Sequence, residues 1–156
     1  MHTNVLLLQR LFTALDDHDH GAMAACYSPS ATFSDIAFTL KGRGQIHEMW
    51  QMICENTDIR ATFEVLHADA VEGRVALVDH YTYTDTARTV RNVIDSRFRF
   101  QDGVIVQHDD HCDPRAWAGM AFPTGVRGFL AGRFRIVRSF AARRKLEAFR
   151  RQHAIH

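Results

Sequence analysis

Hydrophobic and polar positions alternate from Asn92 to Gln101, as they do along a strand with one buried face. Asp102-Gly103 then predicts a tight turn, because both residues tolerate the positive φ angles of a hairpin. The alternation resumes at Val104 and continues to Cys112. The inner face of this predicted hairpin carries Ile94, Ser96, Phe98 and Phe100 on its first strand and Val104, Val106, His108, Asp110 and Cys112 on its second.

The second strand ends in the ionisable sequence H-D-D-H-C-D, where a hydrophobic core would otherwise continue. Burying a polar group without a partner costs about 2–7 kcal/mol, and burying a charge costs more. The cluster is therefore either a solvated strand end or the floor of a pocket. His108 and Asp110 lie two residues apart and share a face, so they are a candidate acid/base pair in the pocket interpretation.

Apolar spacing assigns the remaining elements. Helices are predicted over about residues 3–17, over Gly21–Tyr27, after Gly42-Arg43-Gly44, over Ala116–Phe122 and over Val126–His153. Further strands are predicted over Ala31–Ile36, Ile59–Val71 and Arg74 to about Thr86. This order favours an α+β fold in which helices pack on the concave face of a curved antiparallel sheet. Such a cone has one open mouth, where a small ligand would bind.

Length and composition narrow the class of protein. The chain has 156 residues, which predicts one domain, and its 46% apolar and 24% charged residues are typical of soluble globular proteins. No apolar run is long enough for a membrane span. The three cysteines have no disulfide or metal spacing, which favours a reducing, cytoplasmic location. A metal site at His108, His111 and Cys112 is not expected, because His111 would face the opposite side of the strand.

The C-terminal segment is strongly basic. From Arg127 to Arg151 it has eight Arg and one Lys against the single acidic residue Glu147. Such a segment can bind nucleic acid or anionic lipid, or it can pack over the domain through its Phe residues or form a dimer contact. The sheet has no interleaved aromatic and basic residues for base stacking, so we favour packing and expect no nucleic-acid partner.

Four motifs, in this order, resemble those of the nuclear transport factor two-like superfamily. They are Q-R-L-F-T-A-L-D, A-C-Y-S-P-S-A-T-F-S-D, K-G-R-G-Q-I-H-E-M-W and F-R-F-Q-D-G-V-I-V-Q-H-D-D-H-C-D. Within that superfamily they are most similar to SnoaL-like polyketide cyclases, over about residues 3–121. The resemblance implies a cone-shaped domain over residues 1–122, and residues 123–156 are then a basic helical extension of it.

The resemblance carries over to particular residues only in part. Asp35 holds the place of the general base of ketosteroid isomerases, but Leu11 stands where their oxyanion-hole tyrosine would be. Their second donor falls at Ser96, and it falls at Asp95 only if a bulge shifts the register. Steroid isomerase activity in its usual form is therefore not predicted. Asp110 matches the aspartate that cyclases and epoxide hydrolases keep on the last strand, but the Arg-x-Asp of the hydrolases is missing.

Two functions follow as hypotheses. The first is an isomerase, cyclase or lyase that needs no cofactor or metal and acts on an apolar carbonyl compound through Asp110, His108 and Asp35. The second is a non-catalytic binding domain for a small apolar molecule. In both, we expect a homodimer through the outer face of the sheet, with the row Asp95, Arg97 and Arg99. The predicted ligand-binding residues are Phe12, Phe33, Trp50, Asp79, Tyr81, Ser96, Phe98 and Cys112, and Phe100 is expected beside the same cavity.

Overall fold

Helices pack against a single sheet in the computed structural model, which describes residues 1–123 and 134–153. The helices are α1 (Thr3–Asp16), α2 (His20–Ala24), α3 (Arg43–Asn56), α4 (Pro114–Ala121) and α5 (Phe134–His153). The strands are β1 (Tyr27–Ser34), β2 (Thr39–Lys41), β3 (Arg60–Ala68), β4 (Glu72–Tyr83), β5 (Arg88–Gln101) and β6 (Val104–Cys112).

The six strands of the sheet are ordered β2-β1-β6-β5-β4-β3. The predicted α+β cone fold is confirmed, but the sheet is mixed, because β1 runs parallel to β6 while the other neighbours are antiparallel. Parallel neighbours need a long connection, and here it contains α3 and strands β2 to β5. The prediction followed only hairpin-connected strands and so did not include this pairing. The pairing sets Phe33 of β1 directly beside His108 of β6.

The β5–β6 hairpin has the predicted turn, but an extra residue in β6 shifts the register, so Ile105 is buried on the inner face where Val104 and Val106 were expected. Asp102 and Gly103 both have positive φ, at 53° and 79°, as a two-residue hairpin turn of this kind requires. Ser96 is fully buried on the inner face. Asp95 lies on the outer face, where it pairs with Arg74 and Arg97. The prediction that Ser96 rather than Asp95 faces inward is confirmed.

The N-terminal part differs from its prediction at β1. The second helix was predicted over Gly21–Tyr27, but it ends at Ala24, and Tyr27 is already the first residue of β1. Pro29 lies inside the strand instead of ending a helix. The β1–β6 pairing is irregular between Tyr27 and Thr32, and a proline, which has no N–H to donate, is tolerated at such an irregularity. Strand β2 was not predicted because its three residues are too short for a periodic pattern.

Helix α5 packs on the domain through Leu146 and Phe149, which are both buried. It contacts α3 and α4, as the packing interpretation of the basic segment predicts. Of the helix predicted over Val126–His153, residues 126–133 lie outside the described part of the chain. No helix in the described residues is long and apolar enough to cross a membrane. Cys26 and Cys54 are buried, and Cys112 is half-buried.

A close approach at Gly73 gives a test of the core. A Cβ atom at Gly73 would lie 2.9 Å from the ring of Phe100 and 3.0 Å from Leu8, and both side chains are buried. Gly73→Ala should therefore lower the free energy of unfolding by about 1–3 kcal/mol through overpacking. Gly44→Ala is the matched control, because its Cβ meets nothing within 4 Å and alanine favours a helix. Urea unfolding measures both, and equal stability of the two variants would contradict this packing.

Candidate functional site

A cavity of about 450 Å³ lies between the sheet and helices α3, α4 and α5. Most of its lining is apolar or aromatic, but three carboxyl groups reach it from three different strands or strand ends. Asp35 follows β1, Asp79 lies on β4 and Asp110 lies on β6. Of the predicted ligand-binding residues, Phe33, Trp50, Asp79, Tyr81 and Cys112 line this cavity.

Asp110 is held by two hydrogen bonds to one of its oxygens. Its Oδ1 accepts from Ser96 Oγ at 2.6 Å and is 2.7 Å from His108 Nε2. Within residues 1–123 and 134–153, no hydrogen bond reaches the second oxygen, Oδ2. The Asp110 side chain is only 9% exposed, and it lines the cavity. The carboxylate is thus fixed through one oxygen, and the other is available to a bound molecule.

The hydrogen bonds behind Asp110 form a buried chain with a defined direction. Trp50 Nε1, which can only donate, lies 3.2 Å from the hydroxyl of Tyr27, and that hydroxyl lies 2.8 Å from His108 Nδ1. If the Tyr27 hydroxyl accepts from Trp50 and donates to His108 Nδ1, every buried polar side-chain atom in this series of hydrogen bonds has a partner. A neutral His108 then carries its proton on Nε2 and donates it to Asp110. We assign this tautomer from the hydrogen-bond network.

Burial keeps the Tyr27 hydroxyl in its neutral form. Burial, reinforced by the charges of Asp110 and Cys26, raises the pKa of Tyr27 well above its usual range, although the Trp50 hydrogen bond lowers it. The His108 ring has no exposed surface and lies between aromatic rings, with the Phe98 and Phe33 centroids at 4.3 and 4.9 Å. Tyr27 is therefore a hydrogen-bond donor and not a phenolate under ordinary conditions.

Asp79 differs from Asp110 in its surroundings. Its Oδ1 is buried and has no hydrogen-bond partner among the described residues. Burial raises the pKa of Asp79 well above the usual carboxyl range, and the negative charges of Asp110 and Asp35 raise it further. Asn92 is its partner across the β4–β5 pair and also lines the cavity. The site thus combines a carboxyl group that favours its neutral form with a second carboxyl group held by donors.

Asp35 has a structural contact besides its place on the cavity wall. Its Oδ1 accepts hydrogen bonds from the backbone N–H groups of Ala37 and Phe38, at 2.7 and 2.6 Å. These bonds fix the turn between β1 and β2. Asp35 also faces the cavity, so its charge acts on the site even though one oxygen is committed to the turn.

Several predicted residues lie behind the cavity and do not line it. Phe12, Ser96, Phe98 and His108 are fully or almost fully buried and do not reach the lining. Phe12 of α1 packs edge-on against Phe98 at 6.0 Å, so α1 fills this half of the inner sheet face. Phe100 is buried in the same core cluster. The expectation that these aromatic residues surround the cavity is wrong for Phe12, Phe98 and Phe100. His108 is connected to the cavity through its hydrogen bond to Asp110.

Sequence reasoning missed three residues of this site. Tyr27 was assigned to a helix, and only the irregular strand around Pro29 places its hydroxyl beside His108. Asn92 shares the inner face of β5 with Ile94 and Ser96, so the alternation could have identified it. Trp117 of α4 lines the cavity and donates a hydrogen bond to the Tyr81 hydroxyl; no local pattern in α4 predicts this contact.

Known proteins resemble this chain in both sequence and fold. The family model described as "SnoaL-like domain" matches residues 8–108. A candidate polyketide cyclase from Silicibacter sp. TM1040 is 16% identical, with a TM-score of 0.68, and the match covers 75% of this chain and 93% of that one. No curated protein matches the sequence.

Two further solved structures show the range of proteins with this fold. A protein from Catenulispora acidiphila with a ketosteroid isomerase-like fold, in complex with trimethylamine, has 13% identity and a TM-score of 0.65, and covers 74% of this chain and 91% of its own. A LEH-like epoxide hydrolase from M. tuberculosis has 15% identity and a TM-score of 0.60, and the match covers 80% of this chain and 90% of the hydrolase. At these identities the likeness establishes the fold alone.

The raised pKa of Asp79 gives the stability of the fold a pH dependence of defined sign. The folded protein binds the Asp79 proton more tightly than the unfolded chain does, because an aspartate in the unfolded chain has a pKa of about 3.9. The free energy of unfolding should therefore fall as the pH rises from about 3.9 through the raised value, and stay lower above it. Asp79→Asn should remove this loss, as measured by urea unfolding at a series of pH values.

Asp102→Asn is the control for this comparison, because Asp102 is exposed in the β5–β6 turn. That variant should keep the pH dependence of the wild type. If wild type and Asp79→Asn give parallel curves of stability against pH, Asp79 does not titrate abnormally in the folded protein.

Proposed function

We propose that this chain, which belongs to the SnoaL-like family, is an enzyme that moves a proton on an apolar carbonyl compound. The observation that carries the proposal is the unequal pair of carboxyl groups, Asp79 and Asp110, in one largely apolar cavity. A carboxyl group that favours its protonated form can act as an acid, and a second carboxyl group with one oxygen held by donors and the other open to the cavity can act as a base. Both come from the chain itself, so the proposed reaction needs no cofactor.

Asp110 is the base in this proposal. Its Oδ2 takes a proton from the carbon beside the substrate carbonyl, the C–H bond breaks, and the electron pair moves to the carbonyl oxygen to give an enolate. Ser96 and His108 hold Oδ1, so the second oxygen keeps a fixed position during the transfer. A positioned base of this kind contributes about 10²–10⁴-fold to the rate.

Asp79 is the acid that serves the oxygen. As a neutral carboxylic acid it donates a hydrogen bond to the carbonyl oxygen, where negative charge develops, and the Asn92 amide beside it offers a second donor. Asp35 is a second carboxylate whose charge helps to keep Asp79 protonated. When a C=C bond of the substrate is conjugated with the enolate, return of the proton from Asp110 to the far carbon gives an isomer. Attack of the enolate on a second carbonyl carbon of the same molecule forms a C–C bond, and the resulting alkoxide takes the proton from Asp110 to give a cyclised product.

A binding domain without catalysis is the second candidate. The mostly apolar lining favours it, since apolar walls with a few polar groups are typical of ligand pockets in general. The Catenulispora protein of this fold holds a small molecule, trimethylamine. The two candidates differ in one respect, because binding alone does not require Asp110 to accept a proton.

Hydrogen exchange on an apolar ketone separates the two candidates. The probe is 2-tetralone in heavy water, with loss of the α-proton signals followed by proton NMR. The wild type should accelerate the exchange, and Asp110→Asn should lower the catalysed rate by about 10²–10⁴-fold while the dissociation constant of the ketone stays nearly the same. The asparagine keeps the shape of the side chain and removes the proton acceptor.

Asp109→Asn is the matched control, because Asp109 is the next residue on β6 but accepts its hydrogen bonds from Ser34 and Gln107, outside the cavity lining. It should leave the exchange rate unchanged. Exchange at the wild-type rate in Asp110→Asn would rule out Asp110 as the base. Binding without any exchange in the wild type would favour the binding domain.

The homodimer remains a prediction, as does the cytoplasmic location. The expected contact between the two subunits is the outer face of the sheet, where Arg74 and Arg97 both pair with Asp95 and Val93 is exposed. Light scattering should give twice the 17.8 kDa mass of one chain, and Val93→Glu should shift the protein towards the monomer, because it buries a charge in the contact. A wild-type mass of one chain would contradict the dimer.

A further inference from the structure

Helix α5 supplies one wall of the cavity, although it lies outside residues 8–108, the part that matches the SnoaL-like family. Its contributions are Lys145, Ala148, Phe149 and Gln152. These positions follow the spacing i, i+3, i+4 and i+7, so they form one face of the helix. The wall is therefore a continuous helical face that this chain adds to the matched domain.

The helix is anchored on both sides of the cavity. On one side Arg150 pairs with Glu48, and His153 Nε2 lies 3.1 Å from a carboxylate oxygen of Glu55, both on α3. On the other side Lys145 Nζ lies 3.0 Å from Asp85, in the turn after β4. Exposed ion pairs of this kind contribute little to stability. Burial of Leu146 and Phe149 is the main interaction that holds α5 in place.

Phe149 has two roles in this arrangement, because it is buried, with its ring centroid 3.9 Å from that of His153, and also lines the cavity. Ala148 beside it is small and also lines the cavity, and it is exposed. The opposite side of the helix carries Glu147 and Arg151, which are exposed and do not line the cavity. The size of the side chains at 148 and 149 thus sets how far the cavity extends towards α5.

We propose that α5 determines which ligands the cavity accepts, with Phe149 and Ala148 setting the greatest length of an apolar carbonyl compound that fits. The proposal rests on the proposed function for its ligand class, a ketone whose carbonyl end lies at Asp79 and Asp110. Specificity then resides in an element outside the matched family residues, and the proton-transfer groups reside within the sheet.

A series of methyl ketones from 2-hexanone to 2-tridecanone tests the proposal. Their dissociation constants are measured by competition with the fluorescent probe N-phenyl-1-naphthylamine. Each methylene group that gains apolar contact should strengthen binding about fourfold, until the chain reaches α5 and the gain stops. Phe149→Ala should move this limit to ketones longer by about two to four methylene groups. Ala148→Phe should move it to shorter ketones.

Arg151→Ala is the control, because it changes the same helix on its outer side, and it should keep the wild-type limit. Thermal unfolding checks that each variant is folded, and Ala148→Phe provides the test if Phe149→Ala is not. A uniform loss of affinity with an unchanged limit in Ala148→Phe would overturn the proposal, and so would a wild type that binds none of the ketones.

The outcome is separable from that of the proposed function. If Asp110→Asn leaves hydrogen exchange unchanged while the length limit still moves with residues 148 and 149, only the catalytic role fails. If exchange depends on Asp110 but the limit does not respond to either substitution, only the role of α5 fails.

Discussion

The structure of this site depends on the hydrogen bonds that hold one carboxyl group at the edge of an apolar cavity. Asp110 is almost completely buried, and Ser96 and His108 compensate for the water it loses. His108 is itself buried, so it needs Tyr27, and Tyr27 in turn accepts from Trp50. Each polar group is tolerated because the next one satisfies it. This series of hydrogen bonds fixes Oδ1 of Asp110, and Oδ2 is left facing the cavity.

The mixed sheet is what allows these groups to meet. Strand β6 lies between β1 and β5, so His108 has Phe33 on one side and Phe98 on the other. Strand β4, on the far side of β5, brings Asp79 to the same cavity, where its buried Oδ1 has no hydrogen-bond partner within residues 1–123 and 134–153. A carboxyl group in that position is more stable with its proton, and this difference between neighbouring carboxyl groups gives the cavity its chemical character.

Local patterns in the sequence predict much of this arrangement. The alternation turns Ser96 of β5 and both His108 and Asp110 of β6 inward, and the turn at Asp102 follows from its residue type. The register shift in β6 that sets His108 opposite Phe98 has no local signal. Local patterns do not predict which inward-facing residues contact α1 and which line the cavity, because this depends on packing between elements that are distant in the sequence. Phe12 and Phe98 were misplaced for this reason. Tyr27 was missed because an irregular strand containing a proline has no regular period.

The protonation state of Asp79 in the folded protein tests the central claim most directly. Carbon-13 NMR of protein labelled at the aspartate carboxyl carbons follows each group through a pH titration, and Asp79→Asn assigns the Asp79 signal. The account predicts that this carbon keeps the chemical shift of a neutral acid well above a pH of about 3.9, where an unperturbed aspartate ionises. A signal for Asp79 that titrates at about pH 3.9 would contradict the account.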